Sequence, residues 1–116
     1  MEVVKVVNAD GSVVCARCSI ASSPIARTRG LLGRSFLPAD EGMLFRRTGS
    51  IHMLFMRFAI DAVFCDRDHV VLHVERGLRP WRIASHRGAK AVLELPEGAA
   101  ADLRPGDRLS VATIGA

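Results

Sequence analysis

The chain has 116 residues, 49% of them hydrophobic and 24% charged, the size and composition of one folded domain spanning the whole chain. Its net charge of +4 suits an anionic partner, while five Phe, one Trp and no Tyr leave few aromatics to stack on bases, so the composition does not point to nucleic acid. No run approaches the ~18 apolar residues of a membrane span, and Met1-Glu2-Val3-Val4-Lys5-Val6-Val7 lacks the basic start and apolar stretch of a signal peptide, so a cytoplasmic protein with no membrane span is expected.

In chain order, residues 2–7 read as a strand, Asn8-Ala9-Asp10-Gly11 as a turn and 12–20 as the returning strand. At Ser22-Ser23-Pro24 the pattern changes to that of a helix start, with Ser23 as cap and Pro24 in the first turn. Ile25, Thr28, Leu31 and Leu32 recur at helical spacing, and Gly33 is the stop. Gly42-Met43-Leu44-Phe45 reads as a short strand, and 51–60 is densely apolar around His52 and Arg57. Residues 61–65 and 70–75 make a hairpin about Asp66-Arg67-Asp68-His69, and 89–95 another strand. In that strand Leu93 and Leu95 share a face, with Glu94 opposite as an outward residue or the partner of an Arg. Glu97 to Leu103 is compatible with one or two helical turns, and Arg104-Pro105-Gly106-Asp107 is a turn before a last strand with Leu109 and Val111 inward. The pattern predicts a mainly β fold: a compact sandwich or partly closed barrel of about seven short strands with one or two short helices.

Cys15-Ala16-Arg17-Cys18 has the C-x-x-C spacing of a redox pair or half a zinc site. Its flanks read as a strand, in which i and i+3 point to opposite faces about 10 Å apart, and no second ligand pair is suitably placed. Cys15, Cys18 and Cys65 are therefore expected to be reduced strand residues without metal.

The segments Gly30-Leu31-Leu32-Gly33-Arg34, Gly42-Met43-Leu44-Phe45, Ile51 to Phe64 (with Met56, Arg57, Ile60, Asp61 and Phe64), Asp66-Arg67-Asp68, Val92-Leu93-Glu94-Leu95 and Gly106-Asp107 occur in this order. In order and spacing they resemble domain-of-unknown-function family 192. The resemblance implies a small, predominantly β fold and no established reaction, cofactor or substrate. His69 departs from the pattern, since relatives often carry Gly there, a residue that readily adopts positive φ.

Two regions carry candidate chemistry. In the apolar segment 52–61, His52, Arg57 and Asp61 either present a donor, a cation and a carboxylate to a ligand, or serve the fold, with Asp61 anchored by Arg57, by backbone N–H groups, or by both. Further on, Arg76, Arg79, Arg82, Arg87 and Lys90 surround Trp81 and His86. Arg groups suit phosphate or carboxylate and Trp81 offers a stacking face; the alternative is a solvated loop with Trp81 packed on the core. The expected ligand-binding residues are His52, Arg57, Asp61, Arg79, Trp81 and Arg82, and the expected partner is an anionic small molecule or protein. The alternative is a small hydrolase using His52 and Asp61, although neither an elbow Ser nor a second carboxylate accompanies them. No cofactor and no metal are expected: on a strand His69 and His73 would lie about 13 Å apart.

Overall fold

A computed structural model describes residues 2–21, 34–54 and 56–114. Nine strands form among them: β1 (Val3–Val7), β2 (Val13–Ala21), β3 (Glu41–Arg46), β4 (Ser50–His52), β5 (Ile60–Cys65), β6 (Val71–Leu78), β7 (Ile83–Ser85), β8 (Ala91–Pro96) and β9 (Ser110–Thr113). The first hairpin is set by its turn. The Asn8 side-chain oxygen accepts from the N–H groups of Asp10 and Ser12, the local bonding that makes Asn a turn residue. Asp66 does the same in the β5–β6 hairpin, accepting from the N–H groups of Asp68 and Val70.

Seven strands make one sheet in the order β6-β5-β8-β3-β2-β1-β9, and β4 and β7 form a separate pair. All neighbours are antiparallel except β2 and β3. Every strand of the large sheet but β9 sends buried side chains into one cluster, including Val4, Val6, Leu44, Val63, Val71, Leu93 and Leu95. The sheet therefore wraps around that cluster. Its edges approach at one corner, where Val70 and Arg108 form an isolated bridge, but no ladder joins β6 to β9. The result is the expected mainly β architecture, an incompletely closed barrel.

The outer face is covered as well. Met43 and Phe45 of β3, Ile60, Ala62 and Phe64 of β5 and Val92 of β8 pack under Ile51, Met53 and Met56. Because both faces are covered, all six residues of β5 are buried.

The helix read over residues 22–33 lies outside the described residues. Other expectations change. Residues 97–103 form consecutive turns with N–H to carbonyl bonds three residues apart; Gly98 at φ 93 breaks any helical run. Glu94 does face away from Leu93 and Leu95, but it is fully buried. Its register partners are Met43 and Ala62, so it lies on the face that Ile51, Met53 and Met56 cover.

The C-x-x-C pair also departs from the regular-strand argument. Val4 pairs with Cys18 and Val6 with Cys15, so two steps on β1 face three on β2. That extra residue is a β-bulge, and a bulge re-aims the side chains that follow it. Cys15 and Cys18 consequently face the same way, into the inner cluster. Their thiols are hydrogen-bonded, which lowers the pKa of Cys15 and raises that of Cys18. All three cysteines are unlinked and buried.

Candidate functional site

β6 ends at Leu78, and the chain reverses through Arg79-Pro80-Trp81-Arg82. The Arg82 N–H donates to the Arg79 carbonyl at 3.3 Å, Pro80 occupies the second position and Trp81 the third, with φ 68. This is the dihedral sign of a type II turn, whose third position favours Gly. A large side chain there is strained and needs the surroundings to hold it. Met53 supplies the hold: the Trp81 N–H donates to its carbonyl at 2.7 Å and its own N–H donates to the Arg82 carbonyl at 2.7 Å. The Met53 side chain is fully buried in the outer core, so the turn is fixed to a rigid base.

From this anchor the chain runs into β7, which pairs with β4 and sets His52 opposite Ile83. Trp81 is 60% exposed and Ile83 72% exposed. Arg79, Arg82 and His52 are exposed around them. Arg57 is exposed too, on the loop that starts at Met53 and turns through the Met56 N–H to Met53 carbonyl bond. Arg79, Trp81 and Arg82 thus share one exposed turn, and His52 precedes the Met53 that anchors it.

Asp61 is elsewhere. It is 1% exposed, and its carboxylate accepts the N–H groups of Gly77 at 2.9 Å, Gly98 at 3.0 Å and Ala100 at 3.0 Å. It ties β5 to the end of β6 and to the turns after β8. Of the two anchors expected for it, backbone amides hold it and Arg57 does not. Nor does Asp61 meet His52, which lies in the outer two-stranded sheet.

The basic loop is less convergent than its sequence implies. Arg76 turns away and donates to the carbonyls of Ala100 and Leu103. Lys90 lies at the far end of the small sheet, beside Arg46, Arg47 and Arg67. That second grouping was missed because its members come from three distant segments. Its one local signal was His69 at a turn position that favours Gly. Nearby, His73 and His86 stack with ring centroids 5.1 Å apart over Phe64, and Glu75 bonds His73 at 2.9 Å. Among the described residues no group of three His, Cys, Asp or Glu is arranged to hold a metal, and no helix is long and apolar enough to cross a membrane.

Comparison with known proteins agrees with this fold. A UPF0127 protein of Thermococcus sibiricus is 35% identical over an alignment covering 76% of this chain and 60% of the relative. The chain thus spans about 60% of that relative's length. The crystal structure of a proposed transcription regulator from Sinorhizobium meliloti superposes with a TM-score of 0.79 at 28% identity, covering 95% of this chain and 92% of the other. A protein of unknown function from Novosphingobium aromaticivorans gives a TM-score of 0.77 at 27% identity, covering 93% and 83%. The family model DUF192, described as an uncharacterised ACR, matches residues 5–111. With nearly the whole chain matched, the protein belongs to the DUF192 family, for which no reaction is established.

Proposed function

We propose that this domain is a binding module without a reaction of its own, and that its Trp81 turn recognises an acidic segment of a protein partner. The observation that carries this reading is Trp81, held in a left-handed conformation on a buried anchor yet 60% exposed. Backbone strain of this kind gathers at functional positions. Beside it in the fold, Ile83 extends the apolar area and Arg79, Arg82 and His52 supply donors and positive charge. Trp and Arg are the residues that most often dominate binding energy at interfaces. The hydrolase alternative requires His52 next to Asp61, and the burial and backbone bonding of Asp61 favour a structural role instead. Three unlinked core thiols suit a reducing compartment.

Selection of peptides from a random display library on the whole chain tests the proposal. Selected sequences should be rich in Asp and Glu, and their affinity should fall by roughly thirtyfold in Trp81→Ala, the loss typical of an interface hot spot. Selection of neutral or basic peptides, or unchanged affinity in Trp81→Ala, would contradict it.

A further inference from the structure

The second basic grouping lines a cavity of about 650 Å³, within the size range of small-molecule sites. It forms where three neighbouring strands end together. Arg46 of β3 pairs with Ala91 of β8, and Cys65 of β5 pairs with the same Ala91 from the other side. The residues just beyond these strand ends therefore share one rim. Arg46 ends β3 and Arg47 follows it, Arg67 and His69 come from the β5–β6 turn, and Lys90 from the entry to β8. Gly49 lets the rim close tightly, because a Cβ there would lie 2.7 Å from the Ala89 carbonyl oxygen.

The charge is one-sided. The other lining residues are Thr48, Gly49, Ala89 and Ala91, with no carboxylate. Asp66 stands close by, but one of its oxygens is engaged by the N–H groups of Asp68 and Val70. Among the described residues, no salt bridge neutralises Arg46, Arg47, Arg67 or Lys90. Two lining residues also hold left-handed backbone without being glycine, Arg47 at φ 59 and His69 at φ 63. Such conformations persist only where the surroundings impose them. Neighbouring cations in one concavity repel, and a multivalent anion relieves that repulsion.

We propose that this cavity is a binding site for a small molecule carrying a phosphate or oligophosphate group, with Arg46, Arg47, Arg67 and Lys90 as the anion-binding residues. Guanidinium forks match phosphate oxygens bidentately, and the Lys ammonium adds a point charge. His69 couples the site to pH. Burial first, and Arg46 second, hold its pKa below the ordinary value, against the opposing pull of Asp66 and Asp68. A bound anion offsets Arg46 and favours the imidazolium, so binding takes up a proton and tightens as pH falls. The site is separate from the Trp81 surface. The small sheet runs between them, with Ser50 and Ser85 toward the cavity and His52 and Ile83 toward Trp81.

Calorimetric titration of the whole chain with inorganic phosphate, pyrophosphate and tripolyphosphate tests the proposal. Saturable binding of at least one probe is expected, weakening as salt rises. Affinity should drop by about tenfold or more in Arg46→Gln/Lys90→Gln, the loss expected from charge-assisted contacts, and stay unchanged in Trp81→Ala. These cations are exposed, so the double variant should melt as the wild type does. If it does not, Arg47→Gln/Arg67→Gln makes the same test. The imidazole resonances of His69 should report a raised pKa when the probe is bound. Absence of saturable binding by all three probes, unchanged affinity in the variants, or binding only to DNA duplexes would overturn the assignment.

Discussion

At the scale of single residues, Asp61 shows how a charge is kept inside a β domain. Its burial would be costly alone, but three amide donors replace the lost water. Asp61→Ala orphans those buried donors and should destabilise the fold by about 3 kcal/mol in urea unfolding. Arg57→Ala, at an exposed position, should fall within about 0.5 kcal/mol of wild type. The thiols make a second case. Burial pushes Cys65 up to about 12, so the folded chain keeps it protonated while the unfolded chain ionises near the ordinary value of about 9. The unfolded state then binds fewer protons, and the contribution of Cys65 to stability, full below pH 9 or so, is lost as pH rises from there toward 12. Chemical unfolding of Cys65→Ala and wild type across this range should show the wild type losing the steeper share. The sequence disclosed the burial of Asp61, because a carboxylate between Ile60 and Ala62-Val63-Phe64 requires partners. It did not disclose which partners, since Gly77, Gly98 and Ala100 come together only through the fold.

At the scale of elements, turns and long alternating strands were legible and short or irregular ones were not. Asn8-Ala9-Asp10-Gly11 and Asp66-Arg67-Asp68-His69 carry their own local bonding, so both hairpins follow from sequence. β4 and β7 have three residues each, too few to establish a period, and they pair although β5 and β6 lie between them in the chain. The bulge in β2 was equally hidden, because Ala16 and Arg17 look like any strand pair. It inverts the argument about Cys15 and Cys18. Gly42 sits against this packing with no room for a side chain. A Cβ there would meet the Glu94 carbonyl oxygen at 2.8 Å, the Cys15 thiol at 2.9 Å and a Leu95 methyl at 3.2 Å. Gly42→Ala should therefore destabilise the domain by about 1–3 kcal/mol, the cost of overpacking. Thermal melts read this, and a neutral result would mean that β2 and β8 separate more easily than their contacts imply.

At the scale of the molecule, one sheet wraps an inner core while Ile51, Met53 and Met56 and the small β4–β7 sheet cover its outer face. The inner core is the stable frame, and the outer layer presents the exposed chemistry. Sequence neighbours there stay neighbours in the fold: Arg79, Trp81 and Arg82 share one turn. The cavity of Arg46, Arg67 and Lys90 depends on three strands ending together, which no local pattern encodes. The central claim, recognition of an acidic segment at the Trp81 turn, has a direct optical reporter, because the chain contains one Trp. Its emission can be followed while an acidic peptide selected on the domain is titrated in. The account predicts a saturable blue shift as the exposed ring is covered, reduced at high salt and in Arg79→Ala/Arg82→Ala. Saturable peptide binding that leaves the Trp81 emission unchanged would contradict it.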